Sequence, residues 1–119
     1  MNFDKYTIKS QEAIQKAAEI ALAHQQQAIE PAHLLKAVLQ ADENVVPFLL
    51  NKLAVNRVQF ETSIDEIIQG YPKVSGQQPY LGNDTATALQ KAEKYLKEFK
   101  DEYVAIEHLL LGLLLRPRG

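Results

Sequence analysis

The sequence predicts an all-α fold in one compact unit. Apolar residues recur at spacings of three and four over several stretches, which is typical of amphipathic helices. Proline and glycine fall between these stretches, where helices are expected to end. No segment sustains a period-two alternation of apolar and polar residues, so no strand is predicted. The length of 119 residues suits a single domain.

Four helices are predicted in the first 70 residues. Thr7 is the predicted N-cap of the first helix, Pro31 suits a first helical position, and Pro47 is tolerated in a first turn. The predicted ranges are Ile8 to about His24, about Pro31 to Gln40, Val45 to Leu53, and a helix that Asn56 caps and Gly70 stops. In the first helix, apolar residues recur at helical spacing at Ile14, Ala17, Ala18, Ala21 and Leu22. The buried positions of the fourth are predicted to be Val58, Phe60, Ile64, Ile67 and Ile68.

The second part of the chain begins with a predicted linker at residues 71–82, which contains two prolines and two glycines. A fifth helix is predicted from Asn83 or Asp84 to about Phe99. A sixth is predicted from about Ala105 to Leu115, before Pro117 prevents continuation.

An internal repeat is the most informative pattern. With an offset of 75 residues, Thr7–Gln40 aligns with Gly82–Leu115 without a gap, and eight of the 34 positions are identical. The motif His-Leu-Leu occurs at the same place in both copies, at His33 and His108. Any two amphipathic helices share some similarity, but that does not explain why two helices and the loop between them keep one register. We therefore predict two tandem helical repeats related by a pseudo-twofold axis.

The predicted units are residues 1–70 and residues 83–119, joined by the linker. Counterparts of residues 41–70 would be residues 116–145, so the second repeat is expected to be incomplete in this chain. The sixth helix is apolar on nearly every side, which normally means full burial. We expect this helix to be partly uncovered and the chain to self-associate through it.

Composition excludes several classes of function. Hydrophobic residues make up 46% and charged residues 24%, which is ordinary for a globular protein and excludes a disordered tail. No membrane partner is expected, because the apolar run Leu109–Leu115 is too short to cross a bilayer. The net charge of −2 predicts no nucleic-acid partner. The absence of cysteine excludes thiol catalysis and is compatible with the predicted cytoplasmic location.

Four segments resemble the N-terminal domain of ClpB-type protein disaggregases, a domain with two helical Clp repeats. They are Phe3-Asp4-Lys5-Tyr6-Thr7, Ser10-Gln11-Glu12-Ala13, Ala28-Ile29-Glu30-Pro31-Ala32-His33-Leu34-Leu35 and Tyr103-Val104-Ala105-Ile106-Glu107-His108-Leu109-Leu110. The resemblance covers essentially the whole chain. It implies a substrate-binding domain, without catalytic activity of its own, that engages exposed segments of unfolded or aggregated client proteins.

The resemblance also implies which residues bind clients. A threonine near the start, an acid before the sixth helix and an acid on that helix match Thr7, Asp101 and Glu107, with Glu102 as a neighbouring alternative for the first acid. Acids at the edge of an apolar patch would favour basic client segments. The patch is predicted to comprise Tyr80, Leu81, Tyr95 and Tyr103.

The parent proteins that the resemblance implies are homohexameric ATPases whose ATP-binding modules follow this domain. This chain contains no G-x-x-x-x-G-K-[ST] loop, so no cofactor, ATP included, is expected to bind here.

Each candidate residue also has a structural explanation. Thr7 is an ordinary N-cap, Glu107 complements a helix dipole in a first turn, and Asp101 is a typical solvated loop acid. His33 and His108 lack companion ligands at metal spacing, so packed, hydrogen-bonded imidazoles are favoured over a metal site.

Three other functions are alternatives to client binding. An enzyme is disfavoured because no nucleophile–base–acid set is present. A nucleic-acid site on the lysines of the fifth helix is disfavoured because they spread round the helix. The remaining alternative is a ClpC-type domain of a protease-associated unfoldase, which recognises phosphoarginine or adaptor proteins. That type has glutamate before the histidine in both repeats, whereas this chain has Glu107 but Ala32.

Overall fold

The computed structural model describes residues 2–74, 76 and 78–114. They form six α-helices and two strands of two residues each, which confirms the all-α prediction. The elements are α1 (Ile8–Ala23), β1 (Ala28–Ile29), α2 (Pro31–Ala41), α3 (Val45–Lys52), α4 (Arg57–Gln69), β2 (Tyr80–Leu81), α5 (Asn83–Glu98) and α6 (Ile106–Leu114). Among the described residues, no helix has the length and apolar character needed to span a bilayer.

The helix boundaries follow the predicted caps. The Thr7 hydroxyl accepts a hydrogen bond from the Ser10 amide at 3.1 Å, and the Asn56 side chain accepts one from the Gln59 amide at 3.1 Å. Pro31 is the first residue of α2. The predicted end of α6 at Leu115 lies outside the described residues.

Helices pack in equivalent pairs, α1 against α2 and α5 against α6, and α4 covers α2. The second pair is the tighter one at Gly112, where an added Cβ would lie 2.3 Å from the Ala88 carbonyl oxygen. The 75-residue counterpart of Gly112 is Ala37, which carries a fully buried methyl group. The two helix pairs are therefore equivalent in topology but not in closeness.

Two parallel backbone contacts join the repeats, and the same offset relates them. In the Thr7 junction (Tyr6 and Thr7 against Val104), the Thr7 amide donates to the Val104 carbonyl oxygen at 2.9 Å. In the Gly82 junction (Leu81 and Gly82 against Ile29), the Gly82 amide donates to the Ile29 carbonyl oxygen at 3.0 Å. The predicted pseudo-twofold relation is thus visible in individual hydrogen bonds.

The sequence did not predict the two short strands. β2 lies within the predicted linker and pairs with β1 through Ala28 with Tyr80 and Ile29 with Leu81. Two residues are too few for an alternation to be recognised. The placement of the unit boundaries at residues 70 and 83 stays a prediction.

Several apolar side chains predicted to point inward are exposed. In α4, Ile64 and Ile68 are buried, but Val58 is 73% exposed and Ile67 is 53% exposed. Leu22, one of the apolar residues at helical spacing in α1, is also exposed, at 60%. These side chains have helical spacing, but only the packing of other elements decides which side of a wide apolar face is covered. On α6, six of the nine residues are buried and Leu114, the last one described, is 50% exposed. The expected uncovering of this helix stays a prediction.

Candidate functional site

Three of the predicted site residues, Thr7, Tyr103 and Glu107, lie around the Thr7 junction. The residue that Thr7 contacts, Val104, directly follows Tyr103, and Glu107 lies in the first turn of α6. Ile8, the residue after Thr7, is 75% exposed, and Tyr103 is 54% exposed. Glu107 is exposed as well. The junction therefore combines exposed apolar side chains with an exposed carboxylate.

Asp101 also belongs to this corner of the molecule, through His108. The His108 Nε2 atom lies 2.8 Å from Asp101 Oδ2, and the Asp101 side chain is 49% exposed. Asp101 is thus a solvent-facing acid, as predicted, but one that is bonded to a buried imidazole. Glu107 and His108 are adjacent in the chain, so both predicted acids lie beside the same residue. The roles of Thr7, Asp101, Glu107 and Tyr103 in binding stay predictions.

The remaining predicted patch residues do not share these contacts. Tyr80 and Leu81 form β2 and belong to the Gly82 junction. Tyr95 stacks on Phe99 one turn later in α5, with ring centroids 6.0 Å apart and planes 14° apart. Phe99 is 56% exposed. The structure therefore places Tyr103 directly before Val104 of the Thr7 junction, whereas Tyr80, Leu81 and Tyr95 lie in other local arrangements.

Tyr6 anchors the Thr7 junction from inside. Its side chain is 2% exposed, packs edge-on against Phe3 with ring centroids 5.1 Å apart, and donates a hydrogen bond to Glu93 Oε2 at 2.7 Å. Burial raises the pKa of the Tyr6 hydroxyl, and the nearby Glu93 carboxylate raises it further. The hydroxyl therefore stays protonated and holds the segment before α1 against α5.

Both histidines of the repeat are buried and hydrogen-bonded, as predicted. His33 Nδ1 accepts from the Glu30 amide at 2.9 Å, and its Nε2 contacts Gln26 Oε1 at 2.7 Å. His108 Nδ1 accepts from the Ala105 amide at 2.8 Å, and its Nε2 contacts Asp101. Burial lowers the pKa of His33 to about 4, with a smaller contribution from His24. Among residues 2–74, 76 and 78–114, no three His, Asp or Glu side chains gather as a metal site would require.

An apolar groove of about 210 Å³ lies between α2, α3, α4 and α6, and sequence reasoning missed it. From α2 and α6 it is lined by Leu35 and Leu39 and by their repeat counterparts Leu110 and Leu114. The side chains from the other elements are Val46, Leu49, Leu50, Leu53, Val55 and Phe60. A signal was present, because Glu107, Leu110 and Leu114 at spacings of three and seven share one face of a helix. This face connects the end of the helix that carries Glu107 with the groove.

The helix pairs, the two junctions and the capping histidines define a domain built from duplicated helical repeats. The chain matches the family model of the Clp repeat (R) N-terminal domain over residues 5–119, and it belongs to that family. It is 49% identical to the chaperone protein ClpB of Bacteroides thetaiotaomicron over 114 residues, which are 96% of this chain. It is 47% identical to the ClpB of Porphyromonas gingivalis over the same share. The chain spans 13% of the length of each of these relatives.

Solved structures support the fold alone, since their sequences are distant. The N-terminal domain of Hsp104 from Candida albicans has a TM-score of 0.80 and 24% identity, covering 93% of this chain and 74% of that one. The N-terminal domain of the ClpV1 ATPase from Escherichia coli has a TM-score of 0.85 and 19% identity, covering 93% and 68%. The family model and the ClpB relatives, rather than these structures, confirm the predicted resemblance to ClpB-type N-terminal domains.

Proposed function

We propose that this chain is a non-catalytic client-binding domain of a ClpB-type disaggregase, and that it engages exposed segments of unfolded or aggregated proteins. The observation that carries the proposal is the Thr7 junction, where Ile8 and Tyr103, the neighbours of Thr7 and Val104, expose apolar surface. Asp101 and Glu107 are exposed acids three residues before and after Val104. An unfolded client exposes apolar side chains together with basic ones. This combination of surfaces fits both.

The apolar groove supports the same function. Leu114 is half exposed at its edge, and the lining from α2 and α6 comes from repeat-equivalent leucines. Apolar contact is non-directional and depends mainly on area. Such a groove therefore tolerates many client sequences, while the carboxylates at the Thr7 junction favour basic ones.

Further properties of the whole protein belong to the proposal as well. Its ATPase activity and ATP binding would reside outside these 119 residues, in a homohexamer located in the cytoplasm. Self-association of this chain through α6 is also a prediction, since Leu114 provides exposed apolar area for it.

The test is binding of fluorescently labelled casein to the parent chain and to Thr7→Ala, Asp101→Ala and Glu107→Ala. Each acid variant is expected to weaken binding about threefold to tenfold, since charge-assisted contacts contribute on the order of 1 kcal/mol when partly exposed. Glu19→Ala is the matched control, because Glu19 is an exposed acid on α1. If all three site variants bind as tightly as Glu19→Ala while their circular dichroism stays helical, the site is wrong.

The ClpC-type alternative is tested with a phosphoarginine peptide. At the position of Glu107, the first repeat has Ala32, which is 7% exposed and has no carboxylate. We therefore expect no saturable binding in NMR titrations. Saturable shifts around both His33 and His108 would replace client binding by phosphoarginine recognition.

A further inference from the structure

The residue pair His108 and Asp101 differs from its repeat counterpart in one chemical respect. The His33 ring is bonded to Gln26, whose side-chain amide donates in turn to the Ile68 carbonyl oxygen at 2.6 Å. Gln26 is 3% exposed, so this chain of hydrogen bonds closes inside the protein. In the second repeat the equivalent acceptor is a carboxylate that is half exposed. The two imidazoles thus have equivalent hydrogen bonds. The partner of Nε2 is a buried amide in the first repeat and a half-exposed carboxylate in the second.

The tautomer of His108 follows from its hydrogen bonds. Because Nδ1 accepts from the Ala105 amide at 2.8 Å, the ring proton must be on Nε2, which donates to Asp101 Oδ2. The ring is 4% exposed and is held at both nitrogens, so it cannot rotate without losing two hydrogen bonds. One oxygen of Asp101 is therefore fixed by a donor that is itself fixed.

We infer that His108 is a positioning residue for client binding: it holds the Asp101 carboxylate at the Thr7 junction in one orientation toward basic client side chains. The inference rests on the proposed function of this junction. A preorganised carboxylate loses less side-chain entropy when a lysine or arginine binds than a free one does. His33 makes the equivalent hydrogen bonds in the first repeat, but its partner Gln26 carries no charge.

Two substitutions separate positioning from capping. In His108→Asn the side-chain oxygen lies where Nδ1 was and still accepts from the Ala105 amide, but the donor to Asp101 is lost. In His108→Gln the amide group reaches the position of Nε2 and can donate to Asp101, but the cap is lost. If His108 has only a structural role, peptide affinity should fall in each variant along with its free energy of unfolding. If His108 positions Asp101, the affinity should fall only in the variant that lacks the donor to Asp101.

The experiment uses two labelled peptides of the same apolar sequence, one with a central lysine and one with glutamine. We expect His108→Asn to weaken binding of the lysine peptide about threefold to tenfold, His108→Gln to bind like the parent, and the glutamine peptide to be unaffected. His33→Asn is the matched control, with the same change in the first repeat and unchanged binding. The double variant His108→Asn/Asp101→Asn should bind like Asp101→Asn alone, because His108 acts through that carboxylate.

The outcomes distinguish the two proposals. If Asp101→Asn weakens the lysine peptide and folded His108→Asn does not, the positioning role is overturned and the site stands. If neither variant weakens binding, the site itself fails. In the parent chain, the ¹⁵N shifts of the His108 ring must show the Nε2–H tautomer, and a mixture of tautomers would also overturn the inference.

Discussion

The Thr7 junction and the Gly82 junction contain equivalent backbone hydrogen bonds, but the larger side chain comes from opposite partners in the two. At the first, Thr7 has a side chain and the residue before α6 is the small Ala105. At the second, Gly82 has none, and its absent Cβ would lie 2.4 Å from the carboxylate of Glu30, the residue before α2. The two junctions therefore share one backbone arrangement. At each, a small residue on one side faces a larger residue on the other.

The two junctions also differ in their charged side chains. Around the Thr7 junction, Asp101 and Glu107 face solvent, whereas their counterparts Gln26 and Ala32 are buried. A repeated framework therefore leaves one face free to acquire a function without changing the fold.

Gly112→Ala should destabilise the chain by about 3 kcal/mol, because the new methyl group would overlap the Ala88 carbonyl oxygen and push α6 from α5. The reciprocal change Ala37→Gly should cost only about 1 to 2 kcal/mol, from helix propensity and a lost buried methyl. Urea unfolding followed by circular dichroism measures both. Equal losses would mean that the two helix pairs are equally close, contrary to the structure.

Acidification should destabilise the first repeat through His33. Its pKa is about 4 in the folded chain and about 6.5 when unfolded, so the unfolded state binds more protons between these values. Above pH 6.5 the His33 ring is neutral in both states and has no effect on the pH dependence of stability. As the pH falls towards 4, the free energy of unfolding decreases by no more than about 1.4 kcal/mol per pH unit.

Urea titrations at a series of pH values between 7 and 4 measure this slope. In His33→Gln the slope over this window should decrease, since the titrating group is gone. An identical pH profile for parent and variant would assign the acid sensitivity to other groups.

Gly82→Ala should cost about 1 kcal/mol, because its Cβ displaces the Glu30 carboxylate from the capping position at α2. In a Glu30→Ala background the same change should cost less, since no carboxylate is displaced. A double-mutant cycle on urea midpoints gives the coupling between the two positions. Strictly additive losses would show that a side chain at position 82 and the Glu30 carboxylate do not compete for the same space.

Much of the fold could be predicted because its signals are local. The caps Thr7 and Asn56, and Pro31 at the start of α2, mark helix ends that the structure reproduces within one or two residues. The internal offset of 75 residues needed no structure at all. By contrast, the exposure of Val58, Ile67 and Leu22 depends on which neighbours cover a wide apolar face, and no local spacing contains that information.

The candidate site divides in the same way. Resemblance of the motifs located Thr7, Asp101 and Glu107. In the structure Thr7 is hydrogen-bonded to Val104, which lies three residues from each acid along the chain. Tyr80, Leu81 and Tyr95 were predicted as patch residues on loops and helix starts near those acids. Pairing across the molecule assigned Tyr80 and Leu81 to the other junction instead.

The amino-acid sequence by itself determined the helices, their ends and the duplication, because capping and apolar periodicity act over a few residues and repeat along the chain. Only the tertiary structure decided that Asp101 is bonded to His108, that leucines from both repeats line one groove, and that Gly112 lies against a neighbouring backbone. Those contacts join residues seven to about 80 positions apart, and their geometry depends on how the helices pack rather than on any local preference.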